Sequence, residues 1–404
     1  MEIKVFKGTT QNRAFQFLLI FFTIYFGRDT LVNTQIGMIG SYLILGGIVL
    51  ALLGIVIYNL MKKNIHYQEL KKHVIWFGII TLLIVLSMFI NQCFTLRYFT
   101  MILSIGIGFL MTLFFEEMQF YKMYSKVICF LVFCSIVIMY FIGNKLSFGT
   151  IINAAGLEFN NLILGYVPIL NNYVRNFGIF REPGVFQFFI LLALYYHLMI
   201  SEKMTTKNKI EVVILILGLL TTFSVSAIVC FTILLFAFIL KEENIVFILK
   251  NKKKIALVFI GVIISIVLLI LLNRDIYWMV YSMMEKIMGI GKDDVRVSAI
   301  IANITLWIDS PLKGNDVNYV LGIVEHNTCS LLVIFSTFGT ILGSIITYLW
   351  SRLIRVNVKT YIGKIQSVLV ILFLFLFLNN QCLITNVYFY IFPIVALLSK
   401  RKSK

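Results

Sequence analysis

Residues 210–240 read IEVVILILGLLTTFSVSAIVCFTILLFAFIL, and Glu211 is the one charged side chain among them. At about 1.5 Å per residue, a single helix of that length overshoots a bilayer core of about 30 Å. Both flanks are basic, with Lys203, Lys207 and Lys209 before the segment and Lys241, Lys250, Lys252, Lys253 and Lys254 after it. Basic loops stay on the cytoplasmic side of a membrane. The segment therefore has to enter the membrane and come back to the side it left. Thr221-Thr222-Phe223-Ser224-Val225-Ser226 is the turning point, because Ser and Thr hydroxyls satisfy backbone groups freed where a helix breaks. The reading predicts a broken pair of short, half-depth helices over 211–223 and 225–240.

The rest of the chain is of the same kind. Of its 404 residues 60% are hydrophobic and 13% charged, and the mean hydropathy is +0.96. Soluble domains carry roughly 25% charged residues, so the composition indicates a polytopic membrane protein. Further apolar segments lie at 14–27, 36–60, 73–91, 97–115, 127–143, 184–200, 255–272, 328–349, 365–379 and 387–399. With the broken pair they predict about twelve spans in a single all-α membrane domain over 1–404. No small-residue cleavage site follows the first span, so no cleaved signal peptide is expected.

The formal net charge is +17. In a soluble chain that excess would suggest nucleic acid, and its placement decides against such a partner. With the N- and C-termini cytoplasmic, the loops and tails assigned inside hold 25 basic and 8 acidic residues, and those outside hold 10 of each. The whole excess lies inside, where it sets topology and meets anionic lipid.

Two connections are long, and both are assigned outside: 144–183 and 273–327. Long ordered loops carry function disproportionately. No Walker-type glycine loop is present to serve a cytoplasmic nucleotide site. The first loop ends in Arg175-Asn176-Phe177-Gly178-Ile179-Phe180-Arg181-Glu182-Pro183-Gly184. Arg presents a planar fork suited to phosphate, and Pro183 opens a helix whose N-terminus favours anions. The competing reading is that both arginines anchor a helix among the headgroups.

In the second loop, Ile276, Met279, Met283 and Ile287 recur at helical spacing with Tyr277, Trp278 and Tyr281 among them, as in an interfacial helix. Ile300, Ile304 and Trp307 form another helical stripe. A turn follows over 309–316. His326 is the one histidine assigned outside, and Glu325 or Asp316 would orient its ring for proton transfer. A lone histidine is more often structural, and His66, His73 and His197 are read that way. The six cysteines form no Cys-x-x-Cys pair; they are read as small apolar packers, and neither disulfides nor a metal site is expected. Asp293-Asp294 lacks a second acidic pair.

The run 175–187, RNFGIFREPGVFQ, resembles a segment of O-antigen and capsule polymerases, members of the O-antigen polymerase/ligase superfamily. The stretch 219–226, LLTTFSVS, looks like that family's broken helix pair. Arg296, Trp307, Pro311-Leu312-Lys313-Gly314, His326-Asn327 and Phe338-Gly339 look like its large-loop pattern. The resemblance covers about 175–340.

It implies a glycosyltransferase of the bacterial cytoplasmic membrane, acting at its outer face in O-antigen, capsule or exopolysaccharide synthesis. Donor and acceptor would be polyprenyl-diphosphate-linked oligosaccharide repeat units, with no cofactor and no metal, and a chain-length regulator would be a candidate partner. Arg175, Arg181 and Arg296 would bind the diphosphate and stabilise it as leaving group, Glu182 would orient an arginine and His326 would activate the acceptor hydroxyl. Arg175, Trp307, Asp316 and Asn327 would contact substrate. Two alternatives stay open: a ligase with the same donor and another acceptor, and a lipid-linked oligosaccharide flippase.

Overall fold

The computed structural model describes residues 10–61, 67–152, 156–169, 175–201, 204–241, 243–245, 250, 295–323 and 327–398. They form a helical membrane protein in which five helices are long and apolar enough to cross a bilayer. The helices are α1 Thr10–Tyr25, α2 Leu31–Met61, α3 Tyr67–Ile90, α4 Leu96–Thr112 and α5 Glu117–Val137, the last extended by a π-turn over Ile138–Ile142. Then come α6 Pro183–Tyr195, with a π-turn over Tyr196–Ile200, α7 Thr206–Thr221 and α8 Val225–Ile239. The described residues close with α9 Val295–Asp309, α10 Val317–Ile323, α11 Leu331–Ser351, α12 Tyr361–Leu378 and α13 Val387–Leu398.

Two helices make the centre. α6 with its π-turn is buried around its whole circumference, as expected of a helix that is apolar on every face. It packs against α5, α7 and α8. α13 is buried over Val387–Ala396 and packs mainly against α4. Inside lipid, helix association depends on close packing and interhelical hydrogen bonds, because lipid tails are as apolar as the side chains. α4 reaches α13 that way: Gly108 lets the Ile391 backbone approach, and the Ser104 hydroxyl donates to the Thr385 carbonyl at 2.8 Å. Tyr124 donates to the Phe189 carbonyl at 3.0 Å and Tyr121 to that of Phe392 at 3.1 Å, so α5 is tied to both central helices.

The segment 210–240 breaks where the sequence predicts. Thr222 ends α7, Phe223 turns with φ +46°, and Ser224 caps α8. A non-glycine residue at positive φ is strained, and the neighbourhood holds it there. The Thr221 and Thr222 hydroxyls donate back to the Gly218 and Leu219 carbonyls, each at 2.7 Å. The carbonyls freed by the break are taken by the preceding loop instead: Asn176 N–H donates to Thr221 O at 2.9 Å and Arg175 Nε to Thr222 O at 3.1 Å.

The broken pair is two separate helices. At about 1.5 Å per residue, α7 and α8 are each roughly 22–24 Å long. α7 leans on α5 and α8 on α12, rather than the two pairing closely with each other.

Two corrections concern boundaries and class. α5 begins at Glu117 rather than at 127, because an ion pair from Glu117 to Arg355 and the buried Tyr121 and Tyr124 extend it beyond its apolar stretch. The loop 144–183 is not free of strands. β1 Thr150–Ile152, β2 Glu158–Asn161 and β3 Tyr166–Pro168 form an antiparallel sheet in the order β1-β2-β3. It is seated by Phe159 against Phe177, with ring centroids 4.9 Å apart, and by Tyr166 N–H donating to Gly178 O at 3.1 Å. Strands this short carry little alternation, and their stability comes from the helix ends beneath them. The span 255–272 and the interfacial helix over 276–287 lie outside the described residues.

Candidate functional site

The loops between helices gather at two ends of the bundle. One holds Glu117–Arg355 and His197, whose Nε2 lies 2.6 Å from Ser125 Oγ and 3.1 Å from Glu211 Oε2. The other is the end that the charge distribution assigns outside, and it collects residues 26–31, 91–98, 175–184, 221–226, 303–317, 327–330 and 378–386. Nearly all the site residues expected from the sequence that fall among the described residues are at this end.

Arg181 is tied to Asp29 twice. Its N–H donates to the Asp29 carbonyl at 3.0 Å, and its Nη2 pairs with Asp29 Oδ1 at 3.2 Å. Asp29, only 5% exposed in its side chain, also accepts from Asn386 Nδ2 at 2.7 Å. The Asp29 carboxylate beside it holds the Arg181 guanidinium more firmly protonated than usual. The Nε of Arg181 is buried and has no partner.

The ion pair of Arg181 is with Asp29, and Glu182 also acts on it electrostatically. Glu182 is exposed and starts α6 through its backbone, its carbonyl accepting from Val185 and Phe186 N–H. An extended residue ahead of Pro183 points its side chain off the helix end, which leaves Arg181 to the turn between α1 and α2.

A second arginine lies near the same loop. Arg97, in the first turn of α4, and Arg181 both lie within electrostatic reach of the Cys382 thiol in the α12–α13 loop. Gln381 of that loop lies against Gly184 at the start of α6. Arg97 makes no ion pair among the described residues. On the turn that carries Asp29, Arg28 Nη1 is buried without a partner. Guanidiniums, a helix N-terminus and unpartnered donors are the chemistry that attracts anions.

The large-loop residues have other engagements. Gly314 (φ +68°) and Gly339 (φ +74°) lie where the turn after α9 crosses a kink in α11. A methyl on Gly314 would overlap the Thr337 carbonyl, and one on Gly339 would overlap that of Leu312. Both residues also occupy the left-handed region that glycine alone enters without strain. The crossing is fastened by Thr340 N–H and Oγ1 donating to Pro311 O, each at 2.7 Å. Asn315 Nδ2 donates to the Leu306 and Ser336 carbonyls at 3.0 and 2.9 Å.

Trp307 Nε1 donates to Thr340 Oγ1 at 3.0 Å, and its ring lies 5.0 Å from that of Phe335. Asn327 exchanges amide hydrogen bonds with the fully buried Asn303, which also accepts from Ser336 Oγ at 3.0 Å. Asp316 accepts from the Cys93 thiol and from Asn318 N–H, both at 2.8 Å. Burial and then Asp316 push the Cys93 thiol up to about 11, so at neutral pH it is a donor. Arg175 has its Nε on Thr222 O. Arg296 is half-buried in the first turn of α9, within electrostatic reach of Cys230 on α8. His326 and Glu325 lie outside the described residues.

Sequence reading missed Asp29, Arg97 and Asn386. One legible signal was the polar run Asn379-Asn380-Gln381 between two apolar spans, which marks a loop with hydrogen bonds to give. Another was Asp29, an acid beside Arg28 directly after the first apolar span.

No protein-family model matches the chain, and neither a curated protein nor a solved structure matches it.

Proposed function

We propose that this chain is a glycan polymerase of the bacterial cytoplasmic membrane, joining polyprenyl-diphosphate-linked repeat units at the outer face. The observation that carries the reading is the convergence of Arg97 and Arg181 on the Cys382 loop beside the α6 N-terminus, with Arg181 Nε unengaged. In such a transfer the anomeric carbon–oxygen bond to the diphosphate breaks, and an acceptor hydroxyl forms the new glycosidic bond. Charge builds on the departing diphosphate, and fixed guanidiniums stabilise it where they already stand. Asp29 and Asn386 hold Arg181 in place. His326 takes the acceptor proton in this scheme, and its chain neighbour Asn327 is locked to Asn303. Trp307 and Asp316 serve by holding the large loop on α11 and α4.

The test is purified protein in bilayers supplied with lipid-linked repeat units. Longer glycan chains are expected, with loss of lengthening in Arg181→Lys and His326→Ala. Full lengthening in both variants defeats the assignment. A product in which glycan moves onto a different acceptor, with no lengthening of lipid-linked chains, indicates the ligase reaction.

One observation favours a second reading. The buried His197 pairs with the partly exposed Glu211 of α7 at the opposite end, and ionisable groups within membrane segments are common in transporters. Passage of lipid-linked oligosaccharide across a reconstituted bilayer without glycosyl transfer, abolished in Glu211→Gln, would establish it.

A further inference from the structure

We propose that Cys329 and Cys382 form a redox-responsive thiol pair that closes to a disulfide on the outer face. Nothing in their spacing along the chain suggests it, since α11 and α12 lie between them. The fold brings their segments together through Ser330. Ser330 N–H donates to the Leu378 carbonyl at 3.0 Å, and its hydroxyl donates to the Gln381 carbonyl and accepts from Leu383 N–H at 2.8 Å. One serine therefore contacts the residues on both sides of Cys382, and Cys329 is its chain neighbour. The two thiols are within electrostatic reach of each other. Both are free thiols in the structure.

The two sulfurs differ in a way that sets an order of events. Cys329 is fully buried, whereas Cys382 is half-buried and faces Arg97 and Arg181, which favour its thiolate. Burial outweighs them and holds the Cys382 thiol up at about 11 and that of Cys329 at about 12, so both rest protonated. The oxidant is a small disulfide, as found in extracytoplasmic compartments. Cys382 loses its proton and attacks one sulfur of that disulfide, forming a mixed disulfide and releasing one thiol. Cys329 loses its proton, attacks the Cys382 sulfur and releases the second thiol. Two protein thiols are oxidised by two electrons and one external disulfide is reduced to two thiols. The bond ties the start of α11 to the loop that carries Gln381 and Asn386. The inference needs the outward orientation of this end and is independent of the transfer reaction.

The test uses the full chain in membranes treated with oxidised glutathione, quenched in acid, alkylated under denaturing conditions and mapped by mass spectrometry. A peptide pair joined through Cys329 and Cys382 is expected, with Cys93, Cys129, Cys134 and Cys230 alkylated. In Cys329→Ser the glutathione adduct should persist on Cys382. The proposal fails if wild-type Cys329 and Cys382 are both recovered alkylated, or if either is joined to a different cysteine. Should Cys329→Ser not accumulate, the wild-type map decides alone.

Discussion

The start of α6 and the crossing of α11 lie at the same end of the molecule and treat polar groups in opposite ways. At the crossing, Trp307, Asn303, Asn315, Asn327 and Asp316 all bond to the fold itself. At the start of α6, Arg181 Nε and Arg28 Nη1 are buried without partners, and Arg97 has no ion pair among the described residues. A buried donor without a partner costs roughly 1–3 kcal/mol. The contrast teaches that motif residues crowded into a loop can be architecture, while the donors left over gather elsewhere at the same end.

The sharpest way to break this contrast is at the glycines. Gly339→Val forces a side chain onto the Leu312 carbonyl at positive φ, and backbone strain alone costs about 1–3 kcal/mol before the clash is added. We expect failure to accumulate folded protein, read by size-exclusion chromatography in detergent. A monodisperse, wild-type-like peak would show that the crossing is not what holds the large loop.

Arg181→Ala should come next in size, because it leaves the nearly buried Asp29 with Asn386 as its remaining partner. Losing a partner of a buried ion pair costs about 3–5 kcal/mol. With Arg181 itself 38% exposed, the lower end is expected. Asp29→Asn in the same chain should recover most of that stability without recovering chain lengthening. If the double variant regains activity, Arg181 is scaffold and the anion site is elsewhere.

Arg97→Ala should separate the two properties more cleanly. A fall of roughly 100-fold in chain lengthening is expected for one stabilising donor, with thermal stability unchanged because no described ion pair is lost. A stability loss equal to that of Arg181→Ala would place Arg97 with the architecture.

The smallest effect belongs to Asp316→Asn. The amide keeps an acceptor for Cys93 and for Asn318 N–H, so a loss under about 1 kcal/mol is expected in thermal unfolding, with lengthening within a few-fold of wild type. A collapse of activity in this variant would return Asp316 to the substrate site and undo the contrast.

Much of the fold was legible because membrane helices announce themselves by length and hydropathy. The break at Thr222–Ser224, the start of α6 at Pro183 and the stripe of α9 at Ile300, Ile304 and Trp307 fall where period and turn chemistry put them. The sheet over 150–168 was not legible, since its strands are too short to show alternation. The early start of α5 was hidden because it depends on Arg355, far along the chain.

For the candidate site the division is sharper. The sequence alone determined that arginines at 175 and 181 precede a helix N-terminus, and that the loops its charge pattern assigns outside carry as many acids as bases. It did so because local spacing and side-chain type are properties of neighbours in the chain. Only the tertiary structure decided that Asp29 forms the ion pair with Arg181, that Arg97 and Arg181 lie near the Cys382 loop, and that Cys329 meets Cys382 through Ser330. Those pairings join loops separated by whole membrane spans. Electrostatics and hydrogen bonds act over a few ångströms, so they depend on which helix ends the packing of α6 and α13 brings to one place.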